Sequence, residues 1–241
     1  MTADGYPFHP PIRCHISRYH KKRQNQRYLS EGGLVEAEPP YAELRKDKKM
    51  GEAALQRQIT REEYLEIEDQ ADVRSEYYNG EIFVMAGGSR NHSVICLNLN
   101  WGIREAVANK DCVGFDSNMK LEIAEHSLFV YPDVTVVCGE IEFSEGRTDI
   151  ITNPVLIIEV LSPGTEMFDR GDKFAYYRTV PSLREYVLVS QHSPIVEVYH
   201  RQDENSWLYS ASKGIDESVV FQTIQHELFL KDIYQKVAWG I

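Results

Sequence analysis

Apolar positions are sparse and without a sustained period in residues 1–50, which mix Pro, Gly, His and charge with a KKR run and a KDKK run. Such a stretch has little to bury, so the reading is a flexible extension over 1–54 and a folded domain over 55–241, with Met50 just ahead of the change. The pattern sharpens at Thr60-Arg-Glu-Glu63, a capping box in which the Thr hydroxyl and Glu carboxylate satisfy each other's backbone N–H groups. Tyr64, Leu65 and Ile67 then start a short helix. Asn79-Gly80 is a hairpin-type turn leading into a strand over Glu81–Met85. After Gly87-Gly88-Ser89, Val94, Leu97, Trp101 and Val107 have the spacing of an amphipathic helix from Asn91 to about Ala108.

The second half reads as strands. Gly114–Ile123 and Leu128–Cys138 form a candidate hairpin. Pro154–Leu161 is apolar on both faces, the signature of a central strand covered on two sides. Thr165 is a candidate cap for a helix to about Arg178. Further strands follow at Glu185–Ser190, Ile195–Arg201, Trp207–Ser210 and Val219–Thr223, and a helix over Leu230–Val237 closes the chain. The expected fold class is α/β, a mixed central β-sheet flanked by helices.

Composition changes this picture little, with 42% hydrophobic and 26% charged residues among 241. No apolar run is long enough to span a bilayer. The N-terminal sequence lacks the apolar core of a secretory signal, so the expected address is the cytoplasm, with no membrane partner. Cysteines at 14, 96, 112 and 138 contain no CxxC pair and define neither a zinc motif nor a disulfide framework; three sit beside apolar residues and read as buried thiols. Charge is more informative. The net of −11 combines a basic residues 1–50 with a strongly acidic remainder. An acidic body argues against a non-specific nucleic-acid coat. It is compatible with an enzyme that collects carboxylates around metal ions. The basic N-terminal stretch reads as a plain extension or as an arm for nucleic acid.

Two carboxylates stand out. Glu159 is the lone acid in VLIIEVLS, and Asp133 sits in FVYPDVTVVC between a proline and an apolar run. A charge buried there needs a partner or a metal, and two such carboxylates at the ends of neighbouring strands can converge on a hard cation such as Mg²⁺. Either alone can instead be salt-bridged to a core arginine, a reading that the presence of both makes weaker. Lys173 follows Asp169 by four residues, which is also the spacing of a helix-surface ion pair. His92 stands near a helix start, as a proton relay or a structural residue. Tyr176 and Tyr177 read as packing, and Lys120 as a solvated strand lysine or a phosphate contact.

The blocks ITREEYLEIEDQADVRSEYYNGEIFVMAGGSRNHSVI, YPDVTVVCGE, NPVLIIEVLSPGTE, DRGDKFAYYRTVPSLREYVLV and LFLKDIYQKV, in this order, resemble the Uma2 family (the DUF820 group), restriction endonuclease-like proteins of the PD-(D/E)XK nuclease superfamily. The resemblance runs from about Thr60 to Val237. It implies a restriction endonuclease-like core and a metal-dependent endonuclease hydrolysing phosphodiester bonds in DNA, with Mg²⁺ as cofactor and Mn²⁺ as a substitute. Asp133 and Glu159 would bind the metal, the main-chain carbonyl of Val160 adding a ligand. The superfamily lysine usually lies two residues after the second acid. That position here is Leu161, and the resemblance moves the role to Lys173, which would orient water or stabilise the transition state. Glu76 resembles a further acidic position on the first helix that joins the metal. Asn118 stands where relatives commonly have aspartate. Lys120, Lys173 and Arg170 would supply local positive charge to a cleft. By analogy a homodimer would pair two sites on two strands. The alternative is a catalytically decayed nuclease fold acting as a nucleic-acid or protein binding module.

Overall fold

The computed structural model describes residues 58–85 and 87–239, together with two short strands, β1 (Tyr28–Ser30) and β2 (Gly33–Val35), which pair antiparallel. The chain divides into two units, Met1–Met50 and Gly51–Ile241. Apart from β1 and β2, the expected extension over 1–54 lies outside the described residues. Among the described residues, no helix is long and apolar enough to cross a membrane.

The second unit opens with α1 (Arg61–Asp69), and the capping box forms as expected: Glu63 N donates to Thr60 Oγ1 at 3.2 Å and Thr60 N to Glu63 Oε2 at 3.0 Å. Strands β3 (Ser75–Tyr78) and β4 (Glu81–Val84) follow, joined at Asn79-Gly80. Both turn residues have positive φ, 45° and 92°, which the Asn-Gly pair tolerates. Helix α2 (Arg90–Val107) precedes β5 (Cys112–Asp116), β6 (Lys120–Ile123), β7 (Leu128–Val130), β8 (Val134–Cys138), β9 (Ile150–Ile151) and β10 (Leu156–Leu161). Helices α3 (Glu166–Arg170) and α4 (Asp172–Tyr177) lead to β11 (Glu185–Ser190), β12 (Ile195–Arg201), β13 (Trp207–Lys213), β14 (Ser218–Phe221), β15 (His226–Phe229) and α5 (Leu230–Ile233).

Six strands form the main sheet in the order β13-β12-β11-β10-β8-β5, with β10 and β11 parallel and the other neighbours antiparallel. A second sheet runs β4-β3-β7-β6-β9, and β14 pairs with β15. This is the expected mixed α/β architecture. Strand β10 is buried along its whole length, and alternation assigns its side chains to two cores. Leu156, Ile158 and Val160 pack with Ile95, Leu99 and Ile103 of α2, whereas Ile157 and Leu161 pack with Tyr177 and with Leu121 and Leu128 of the second sheet. Glu159 shares the parity of the latter face.

Several elements differ from the sequence reading. The apolar face of α2 is Ile95, Leu99, Ile103 and Ala106, whereas Leu97 and Trp101 are 71% and 64% exposed. The i,i+4 row of compact aliphatic side chains packs on the sheet, whereas the ring of Trp101 sits beneath the Arg104 guanidinium. The helix expected over 165–178 breaks at Gly171 (φ −112°, ψ −99°), and Thr165 makes no side-chain cap bond. The expected hairpin over Gly114–Cys138 is divided at Asp116–Lys120 and again at Tyr131–Asp133: β5 and β8 pair in the main sheet, β6 and β7 in the second. Cys112 and Cys138 stand opposite each other in the β5–β8 register and are disulfide-bonded, contrary to the thiol reading. Pairing of residues 26 positions apart depends on strand register, which cysteine spacing does not encode.

Candidate active site

The β10 carboxylate is almost entirely withdrawn from solvent. Glu159 is 5% exposed and receives Tyr177 OH at 2.8 Å, while Lys173 Nζ lies 2.9 Å from the same Oε1. Lys173 and Tyr177 are four residues apart on α4, so one helical face presents both groups to one carboxylate. The break at Gly171 makes this possible, because α4 need not continue the axis of α3.

Lys173 is itself surrounded by acid. Glu76 Oε1 lies at 3.3 Å and Asp169 Oδ1 at 3.6 Å, the latter being the i,i+4 neighbour. The pair is not on a solvated surface, since both side chains are almost fully buried. Burial works against the ammonium, but Glu159, Tyr177, Glu76 and Asp169 together hold its pKa well above the ordinary lysine value. Burial pushes the Glu159 carboxyl up to about 8, with Lys173 opposing and Asp169 and Asp133 reinforcing the rise. Ionised carboxylates are therefore costly in this dry setting, a cost that a bound cation relieves.

Glu76 lies on β3, not on the first helix. The alternation of Ser75 and Tyr77 buried against Glu76 and Tyr78 half-buried, followed by the Asn-Gly turn, is a strand pattern, and β3 pairs with both β4 and β7. From there Glu76 reaches Lys173 and, at 3.5 Å, the Tyr131 amide.

Asp133, between β7 and β8, accepts the Val160 amide at Oδ2 (2.8 Å). That bond continues past Ile158, the last β10 residue paired with β8. The same oxygen lies 3.3 Å from His92 Nε2 of α2, and His92 Nδ1 is 3.4 Å from Cys96 Sγ. Asp133, chiefly through its hydrogen bond, raises the His92 pKa against the effect of burial. Burial, reinforced by Asp133, pushes the Cys96 thiol far up.

The other basic candidates stand elsewhere. Lys120 is buried, with Nζ 5.0 Å from the Tyr64 ring centroid and 5.4 Å from that of Tyr131, so it is not the solvated residue the strand pattern implied. Burial draws its pKa down, against the pull of Glu68 and Asp149. Arg170 is engaged by Glu166 at 2.9 Å and Glu197 at 2.5 Å. Asn118 closes a local turn on Asp116, donating from N and Nδ2 at 2.9 and 3.0 Å. Sequence reasoning took Tyr177 as packing, Asp169 only as the i,i+4 partner of Lys173 and gave Cys96 no part in the site. The i,i+4 relations of Asp169, Lys173 and Tyr177, and of His92 and Cys96, were the available signal.

A mixed sheet thus places an acid in a fully buried strand against a helix-borne lysine, and comparisons with known proteins give the family of the chain. The Uma2 family model, described as "Putative restriction endonuclease", matches residues 61–231, and the chain belongs to this family. It is 38% identical over 161 residues to the uncharacterized protein slr1290 of Synechocystis sp., covering 66% of this chain and 84% of that protein. The uncharacterized protein sll1609 of the same organism is also 38% identical, over 163 residues, covering 68% of this chain and 92% of that protein. Among solved structures, the crystal structure of "a putative nuclease belonging to DUF820" from Anabaena variabilis superposes with a TM-score of 0.62 at 20% identity, covering 75% of this chain and 99% of that one. The last likeness speaks to the fold.

Proposed function

We propose that the chain is a Mg²⁺-dependent endonuclease that hydrolyses phosphodiester bonds in DNA, with Mn²⁺ as a substitute, and that it works in the cytoplasm. The observation that carries this reading is Glu159, a carboxylate inside an otherwise aliphatic buried strand, in contact with Lys173 and with Tyr177. No packing requirement calls for an ionisable group there. A hard divalent cation fits the donor set, which is rich in carboxylate oxygen. Glu159 and Glu76 each contact Lys173 through Oε1, and Asp133 uses Oδ2 for its contacts, so the second oxygen of each lies outside those bonds.

In this reading Asp133, Glu159 and Glu76 hold the cation with the Val160 carbonyl. When bound, it would lower the pKa of a water and polarise the phosphate. Tyr177 fixes the orientation of Glu159, and the Val160 amide fixes that of Asp133. Lys173 places its ammonium where an attacking water or a charged phosphoryl oxygen would sit, supplying positive charge without reorganisation. Two copies acting together would cut two strands.

The closed ion pairs of Lys173 favour one second reading, a fold without turnover that binds nucleic acid or protein. A cleavage assay with Mn²⁺ or Mg²⁺ on plasmid DNA, single-stranded DNA and RNA separates the two. Wild type is expected to cut DNA, and Asp133→Ala and Lys173→Ala to be inactive. Absence of cleavage of every substrate at high enzyme concentration would sink the enzyme reading. Titration calorimetry with Mn²⁺ then tells a metal-binding site from a decayed one.

A further inference from the structure

His92 and Cys96 lie one turn apart on α2, and Asp133 meets the same helix face from the segment between β7 and β8. One ligand atom from each lies within 4.8 Å of the other two, and all three residues are half-buried. We propose that His92, Cys96 and Asp133 form a second cation site, selective for a borderline-soft divalent ion of the Zn²⁺ class. Its chemistry differs from that of the carboxylate site. Thiolate and imidazole select Zn²⁺ over Mg²⁺, which prefers oxygen donors alone. With bonds of about 2.0–2.3 Å, tetrahedral ligands stand about 3.3–3.6 Å apart. His92 Nε2 and Asp133 Oδ2 are already 3.3 Å apart, whereas Cys96 Sγ lies 3.4 Å from the other ring nitrogen, Nδ1, and has to turn toward Nε2 to join them. Two ligands at i and i+4 of one helix form a preorganised pair, and three protein ligands leave a fourth position for water.

Charge also balances. Cys96 binds as thiolate and releases its proton to solvent, so thiolate and carboxylate together neutralise the ion. Buried alone, that thiolate would be costly, and the cation offsets the cost.

The site stands without the nuclease reading, but its consequence for cleavage rests on it. Asp133 belongs to both ligand sets, so Zn²⁺ here would withdraw Asp133 from the Mg²⁺ set and inhibit.

Co²⁺ tests the site directly, because a thiolate ligand gives a charge-transfer band in the near ultraviolet. The wild type is expected to show that band, with Zn²⁺ displacing the Co²⁺. Cys96→Ser should abolish it, and His92→Gln should weaken Co²⁺ binding at least about tenfold, the scale on which even outer-shell changes act. Glu159→Gln should keep the band while losing cleavage, so failure of the nuclease reading and of this one are distinguishable. No band in excess Co²⁺, or a band undiminished in Cys96→Ser, overturns the proposal. Should Cys96→Ser fail to fold by circular dichroism, X-ray absorption of the Zn²⁺-loaded wild type decides. One sulfur at about 2.3 Å supports the site, and a shell of nitrogen and oxygen alone overturns it.

Discussion

Replacing Lys173 by methionine keeps most of the side-chain volume and removes one positive charge from among three carboxylates. With all three acids ionised and an effective dielectric of about 20, Coulomb's law gives about 6, 5 and 5 kcal/mol for the contacts of Lys173 with Glu159, Glu76 and Asp169 at 2.9, 3.3 and 3.6 Å. Those attractions offset desolvation of the four groups and repulsion among the three acids, so their sum is not a stability. What the variant measures is the cost of leaving the acids uncompensated, about 3–5 kcal/mol for a buried pair broken on one side. For a domain of this size that lowers Tm by roughly 6–20 °C. Glu159→Gln should behave oppositely. It replaces a carboxyl that burial already keeps largely protonated near neutral pH, keeps an acceptor for Tyr177 and leaves Lys173 with Glu76 and Asp169, so stability should stay within about 1 kcal/mol of wild type or rise. Cleavage should be lost all the same. Urea unfolding at neutral pH measures both changes. Equal destabilisation by the two variants would refute the argument that the cluster depends on the charge of Lys173 and not on that of Glu159.

Three further outcomes are expected. Ile158→Ala, which cuts into the packing of β10 on α2, should cost about 2–5 kcal/mol in urea unfolding. Glu122 is bonded to Arg61 at 2.8 and 3.2 Å, and although burial raises its pKa, the bonds from Arg61 and Ser144 bring it below the ordinary value. Its contribution is therefore complete above the usual Glu range and lost as pH falls through the lowered folded value, so Glu122→Gln should flatten the acid limb of the stability curve. Thiol titration of unreduced, unfolded protein should find two fewer reactive thiols than after reduction, and Cys112→Ser should remove the difference.

The local signals were legible because their physics is local. The capping box at Thr60, the Asn79-Gly80 turn and the uniformly aliphatic β10 each follow from backbone groups or side chains within a few residues. Glu159 and Asp133 stood out for the same reason, as acids in apolar company. What the linear pattern did not carry was register and facing. Cys112 meets Cys138, Lys120 lies over Tyr64 and Tyr131, and Glu76 reaches Lys173 only because strands distant in sequence are set side by side. Facing alone chose Ile95, Leu99 and Ile103 over Leu97 and Trp101.

The sequence by itself determined that this chain forms a mixed α/β domain with acids in its central strands, since residue periodicity and burial cost are properties of short segments. Only the tertiary structure decided which groups those acids meet. Glu159 faces Lys173 and Tyr177 because β10 alternates and α4 restarts after Gly171, and Asp133 meets His92 because α2 crosses the other face of the same strand. Such meetings depend on the packing of whole elements, which no local pattern specifies.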